Sequence, residues 1–117
     1  MATPLFFTYM LTNRNRTVLY VGMTNNLPAR LIEHWAGKEG SFTTKYQVYY
    51  LVWYEATKYV LNAIAAEKTV KHYTREQKET LIKAFNPEWK FLNAEIVESW
   101  PPTPEQIAAA REGRLRK

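Results

Sequence analysis

A chain of 117 residues, 46% hydrophobic and 15% aromatic, is long enough for one domain with a buried core and too apolar for a disordered chain. Its formal net charge of +5 favours polyanionic partners, nucleic acid above all, without requiring them. With no cysteine, a disulfide framework and thiolate metal sites are excluded.

The stretch from Met1 to Met10 is apolar but has no basic leader and is interrupted by Pro4 and Thr8, so it reads as a strand rather than a signal peptide. No stretch approaches membrane-spanning length, and a soluble cytoplasmic protein with no membrane partner is expected. Leu5 to Thr12 and Thr17 to Met23 are β-rich runs around the polar turn Asn13-Arg14-Asn15-Arg16, which predicts a hairpin. Alternation puts Tyr20 and Gly22 on one face and Leu19, Val21 and Met23 on the other. Gly22, Thr24-Asn25-Asn26 and Leu27-Pro28 then turn the run into a helix whose buried stripe is Leu27, Leu31 and Trp35. Arg30 and His34, one turn apart, share a face that flanks this stripe, as residues at the rim of a pocket would. The helix is expected to end through glycine within Ala36-Gly37-Lys38-Glu39-Gly40-Ser41.

Phe42 to Tyr46 carries hydroxyls and Lys45, and Val48 to Ala56 is the clearest strand in the chain. From Lys58 to Tyr73 the pattern is helical, with Val60, Ala63, Ile64 and Val70 on one side and Glu67 in the middle of that stripe. A carboxylate there must find a partner, coordinate a cation or lose its charge. Thr74-Arg75-Glu76-Gln77 has the order of a capping box for a helix from Arg75 to Phe85, which Asn86-Pro87 closes. Composition divides the chain into a domain over residues 1–98 and, over 99–117, a Pro-rich break and basic tail. Thr103, Pro104 and Gln106 suit N-cap, N1 and N3 of a short tail helix, and the end from Arg111 to Lys117 is expected to fray.

Phe7-Thr8-Tyr9 on one strand, Tyr20-Val21-Gly22 on the next, Arg30 after the glycine and Glu67 on a later helix resemble the GIY-YIG nuclease domain. The likeness is to its small stand-alone bacterial branch of URI type, related to the nuclease module of an excision-repair enzyme and to homing endonucleases. Phe42-Thr43-Thr44-Lys45-Tyr46, Glu67-Lys68 and Asn86-Pro87-Glu88-Trp89 add to it, and it runs from Leu5 to Leu92. The resemblance implies an α/β (α+β) fold, a three-stranded, mainly antiparallel sheet flanked by helices. It also implies metal-dependent phosphodiester hydrolysis by Tyr9, Tyr20, Arg30, His34 and Glu67. In that scheme a tyrosine activates water, Arg30 stabilises charge on the phosphate, and Glu67 holds one Mg²⁺ (or Mn²⁺) that neutralises the leaving oxygen. A single carboxylate suits Mg²⁺, which keeps several waters and also uses phosphate oxygens.

The individual residues keep more than one reading. Tyrosine ordinarily titrates at about 10, so a phenolate base needs a shift of about three units, or about 4 kcal/mol, from Arg30, His34 or the metal. Tyr9 and Tyr20 both suit that role, and Tyr9 is preferred with Tyr20 hydrogen-bonded beside it. Arg30 also reads as a surface arginine paired with Glu33 or Glu55, and Glu67 as an ion pair with Arg30 or Lys71. His34 suits a proton shuttle or a phosphate contact. Lys45, Lys68, Lys71 and Asn86 are candidate nucleic-acid contacts, against a solvated face for the lysines and a helix stop for Asn86. The first motif reads Phe-Thr-Tyr, and Met23-Thr24 stands where some relatives carry a lysine, so the alternative is a nucleic-acid-binding module without turnover. The expected partner is nucleic acid, DNA ahead of RNA, with a homodimer or a protein partner supplying targeting. The hydrolase reading requires Tyr9, Tyr20, Arg30 and Glu67 to meet in one cleft.

Overall fold

Three runs rich in β-branched and aromatic residues form β1 (Phe6–Thr12), β2 (Leu19–Thr24) and β3 (Tyr50–Thr57) in the computed structural model, which describes residues 4–37 and 41–115. They make one antiparallel sheet in the order β2-β1-β3. The helices are α1 (Leu27–Ala36), α2 (Phe42–Lys45), α3 (Val60–Lys71), α4 (Arg75–Phe85), α5 (Asn93–Ile96) and α6 (Pro104–Arg111). This is the expected α+β layer, with the sheet antiparallel throughout. The first hairpin is closed by the Asn13 side chain, whose Oδ1 accepts from the backbone N–H of Thr17 and Val18 at 2.8 and 3.0 Å. Val48, expected to open the third strand, instead donates its N–H to Thr43 O at 2.9 Å and belongs to the turn after α2.

Alternation gives the sheet two apolar faces. Tyr9, Leu11 and Leu51 look toward Leu27, Leu31 and Ile32 of α1. Met10, Val21, Val52 and Trp53 look the other way, toward Val70 of α3 and Ile82 of α4. Adjacent Val52 and Trp53 share that second face because the β1–β3 register shifts between Met10 and Leu11. The outer edge of β3 is covered by two asparagines rather than a fourth strand. Asn93 accepts from Leu51 N and donates to Tyr49 O, both at 2.8 Å, while Asn86 Nδ2 donates to Val52 O at 3.0 Å.

Trp35 does not join the buried stripe of α1. It is half-buried, with its ring 5.1 Å from Tyr49 and 5.2 Å from Trp100, and Ala29, Ile32, His34 and Ala36 are buried in addition to Leu27 and Leu31. The reason lies in the tail. Its helix forms with Thr103 as the expected N-cap, in a capping box with Gln106, and α6 docks on α1. Ala110 and Leu115 pack on the α1 core, and the Arg111 guanidinium donates to Ala36 O at 3.2 and 3.3 Å, so Arg111 is tied down rather than frayed. Gly37, at φ +80°, ends α1 with its N–H on Glu33 O at 3.0 Å. Expectations for Met1 to Thr3, Lys38-Glu39-Gly40 and Arg116-Lys117 lie outside the described residues. Among the described residues no helix is long and apolar enough to cross a membrane.

Asn86 is 6% exposed, and besides Val52 it serves Lys90, donating to its carbonyl at 2.8 Å and accepting from its N–H at 3.0 Å. Asn86→Ala is therefore expected to cost about 2–4 kcal/mol in urea unfolding, because it strands buried backbone groups. Replacing exposed Lys83 on the same helix by alanine is expected to change stability by no more than about 0.5 kcal/mol.

Candidate active site

The β1–β2 register sets Tyr9 opposite Gly22 on the α1 face of the sheet. A Cβ at Gly22 would fall 2.5 Å from Tyr9 Oη and 2.6 Å from its Cζ, so only glycine leaves room for the phenol to lie across β2. Tyr20 stands on the same face, its ring 6.4 Å from that of Tyr9. Tyr9 is 1% exposed, whereas Tyr20 is only half-buried.

Asn26 starts α1, its Oδ1 accepting the Ala29 N–H at 3.1 Å, with Pro28 in the first turn. This cap aims Arg30 and His34 back at the tyrosines. His34 Nε2 lies 2.9 Å from Tyr9 Oη, and Nδ1 lies 3.3 Å from Thr43 Oγ1 on α2. Sequence spacing put His34 on a rim; at 3% exposed it is a core group, and Tyr9 and Thr43 supply the partners that make its burial tolerable. It is therefore not placed to touch a phosphate.

Arg30 Nη1 is 3.2 Å from Glu33 Oε1, and the guanidinium stands near the Tyr9 hydroxyl. Burial works against the Arg30 charge, but Tyr9 and Glu33 outweigh it and hold the guanidinium above its ordinary value. The two ring nitrogens of His34 thus link the Tyr9 hydroxyl to the Thr43 hydroxyl. Arg30 remains 35% exposed and opens, with Glu33, onto a cavity of about 430 Å³ lined also by Phe6, Met23, Thr24 and Asn25.

Glu67 is the expected site residue that the cluster does not include. Helix α3 covers the opposite face of the sheet, with Thr8 Oγ1 donating to Ala63 O at 3.4 Å and Val70 packed beside Met10 and Val21. Only Ala63 and Val70 of α3 are fully buried, so the stripe is narrower than its sequence suggests, and Glu67 between them is 25% exposed and paired with Lys71 Nζ at 3.7 Å. The expected four-residue cleft is corrected accordingly: Tyr9, Tyr20, Arg30 and His34 gather on one face, and Glu67 comes from the helix on the other. The two sides approach at the strand ends, since Thr8, which touches Ala63, pairs with Met23, and Met23 lines the Arg30 cavity. Among the described residues no three His, Cys, Asp or Glu side chains gather to hold an ion. A lone part-exposed carboxylate does fit a hard cation that keeps its waters and borrows substrate oxygens.

The remaining expected contacts divide. Lys45 and Lys68 are exposed, the Lys45 ammonium 5.3 Å from the Tyr46 ring centroid, and Lys71 is half-exposed on Glu67. Asn86 is corrected to a structural residue, because both its amide hydrogens are donated to buried or part-buried backbone. Part of the basic surplus is structural too. Arg75 donates to the carbonyls of Arg16 and Thr17 at 3.0 Å each, and Arg16 donates to Trp89 O at 3.1 Å. Sequence reasoning missed Thr43 as the partner of His34, since a hydroxyl beyond a loop leaves no local pattern. It also missed Phe42, whose ring lies 6.2 Å from Tyr20 and nearly parallel to it, although aromatic and lysine residues interleaved over Phe42 to Tyr46 were a usable signal.

A family model described as the GIY-YIG catalytic domain matches residues 5–80. A protein of Lacticaseibacillus paracasei named "UPF0213 protein" is 31% identical over 90 residues, which cover 77% of this chain and 100% of that protein. No solved structure matches.

Gly22→Ala is expected to push the Tyr9 ring off β2 and to cost about 1–3 kcal/mol through overpacking. Urea unfolding reads the cost, and a changed near-ultraviolet dichroism of the folded protein reads the displaced tyrosine. An unchanged spectrum with unchanged stability would mean that the close approach is not a constraint.

Proposed function

The chain belongs to the GIY-YIG catalytic domain family, a nuclease superfamily, and from that premise we propose that it is a divalent-metal-dependent endonuclease cutting DNA in preference to RNA. One observation carries the reading: a guanidinium paired with the Glu33 carboxylate and set near the Tyr9 phenol where it opens onto a cleft. There Arg30 can meet the non-bridging oxygens of a phosphodiester and stabilise the charge that builds on them in the transition state. Because Tyr9 and Glu33 already fix its position, little reorganisation is needed when substrate arrives.

Burial supports a division of labour between the tyrosines that reverses the preference drawn from sequence. Tyr9, enclosed and hydrogen-bonded to His34, positions the cluster, and Tyr20, reachable from solvent, is the group to deprotonate the attacking water. His34 holds Tyr9 through Nε2 and is itself held by Thr43. Glu67 is the carboxylate to hold Mg²⁺ or Mn²⁺, with Lys71 balancing its charge otherwise. When bound, that ion supplies Lewis-acid stabilisation of the leaving oxygen. Lys45 and Lys68 suit contacts to the phosphate backbone. Action in the cytoplasm, and targeting through a second copy or a protein partner, complete the proposal. Glu67 lies outside the described lining of the Arg30 cleft, and this favours as second reading a module that binds nucleic acid without turnover.

Purified protein with labelled DNA and RNA oligonucleotides in Mg²⁺ or Mn²⁺ is expected to cut, and to stop cutting in EDTA. Arg30→Ala and Glu67→Gln are each expected to lower kcat by about a hundredfold or more. Cleavage that survives both substitutions overturns the proposal. Salt-sensitive binding with no cleavage under any metal condition selects the second reading.

On the same substrates, Tyr20→Phe is expected to reduce kcat more than Tyr9→Phe does. The opposite order would return water activation to Tyr9.

A further inference from the structure

A row of aromatic rings leads away from the candidate site. The Tyr20 ring lies 5.5 Å from His34 on one side and 6.2 Å from Phe42 on the other, and Phe42 is 4.8 Å from Tyr46. The Tyr20 and Phe42 planes are within 26° of parallel. The outer two rings are wet, Phe42 at 47% and Tyr46 at 44% exposed. These residues owe their placement to α2, which Ser41 caps and Thr43 anchors to His34. The Lys45 ammonium stands 5.3 Å from the Tyr46 ring centroid, so a fixed positive charge borders the platform.

We propose that Phe42 and Tyr46 form a stacking subsite for an unpaired nucleobase of the strand whose phosphate sits at Arg30. This rests on the nucleic-acid reading of the Arg30 cleft and extends it to a substrate class, single-stranded or locally unpaired nucleic acid. The occupant follows from the chemistry. A half-exposed phenyl and phenol pair, continuous with half-buried Tyr20, gives a base a π-surface, which is sequence-tolerant because every base has a π-face. Lys45 beside it offers a phosphate partner to the same strand. In a duplex the base faces are covered by their neighbours, so the subsite engages only bases that are already unpaired or have been drawn out of the stack.

The test is binding of 2-aminopurine-labelled oligonucleotides in EDTA, single-stranded and fully paired, as DNA and as RNA. Wild-type protein is expected to quench 2-aminopurine further in the single strand and to leave the already low fluorescence of the paired probe unchanged. Phe42→Leu keeps apolar bulk but removes the π-face, and it is expected to relieve the quenching and weaken single-strand binding by about tenfold. Tyr46→Leu, whose ring is one step farther from Tyr20, is expected to act in the same direction, which separates lost stacking from any disturbance of Tyr20. Arg30→Ala is expected to weaken single strand and duplex alike. If Phe42→Leu and Tyr46→Leu leave single-strand affinity unchanged, or lower duplex affinity as much, the subsite is overturned even where cleavage is found. If quenching is lost in these variants but no metal supports cleavage, the subsite stands and the hydrolase reading falls. Absence of binding to any of the four probes overturns the subsite as well.

Discussion

The phenol of Tyr9 lies across Gly22, and the polar chemistry of the molecule is arranged around that contact. A side chain at the glycine would collide with the hydroxyl itself, so the missing Cβ is what lets Oη reach the end of the strand pair and meet α1. There it faces His34, which leans on Thr43, while Arg30 stands near it with Glu33 on the guanidinium. The result is a hydrogen-bonded chain from α2 to the sheet, with the Arg30–Glu33 pair beside it at a cleft. Each buried member is tolerable only because its neighbours satisfy it, and no buried side-chain nitrogen or oxygen among the described residues lacks a partner.

The two faces of the sheet are unlike in kind. The α1 face mixes aliphatic packing with this polar chain, and the face under α3 and α4 is closed almost wholly by apolar groups, Met10, Val21, Val52, Val70 and Ile82 among them. A carboxylate on α3 therefore has no buried polar chain to join. Glu67 sits at the margin of the helix contact, 25% exposed and 3.7 Å from Lys71 Nζ. Such a carboxylate is open to a cation but supplies one ligand only, so tight metal uptake depends on what the substrate brings. The basic residues divide in a similar way, since Arg16, Arg75 and Arg111 tie loops and helix ends to backbone carbonyls.

Most of the fold was legible in the amino-acid sequence. The alternating aromatic runs, Asn26 and Pro28 at the start of α1, Gly37 at its end and the two Thr-x-x-Gln capping boxes each name a local backbone conformation that the chain adopts. The motif tyrosines, Gly22 and Arg30 were legible as one constellation because strand alternation and helical spacing put them on facing sides of neighbouring elements. Trp35, His34, Asn86 and Glu67 were not. Their environments are made by partners far along the chain: Trp100 against Trp35, Thr43 beneath His34, Val52 and Lys90 around Asn86, and the opposite sheet face under α3.

What the sequence determined by itself, then, was the order of the three strands, of α1, α3, α4 and the tail helix, and the family to which the chain belongs, while the short helices α2 and α5 were not foreseen. Only the tertiary structure decided that Tyr9 is enclosed while Tyr20 is reachable, that the tail helix lies on α1, and that Glu67 comes from the other side of the sheet. Alternation and helical period state which way a side chain leaves the backbone. What covers it there depends on contacts between residues distant in sequence, and these have no local pattern from which they can be read.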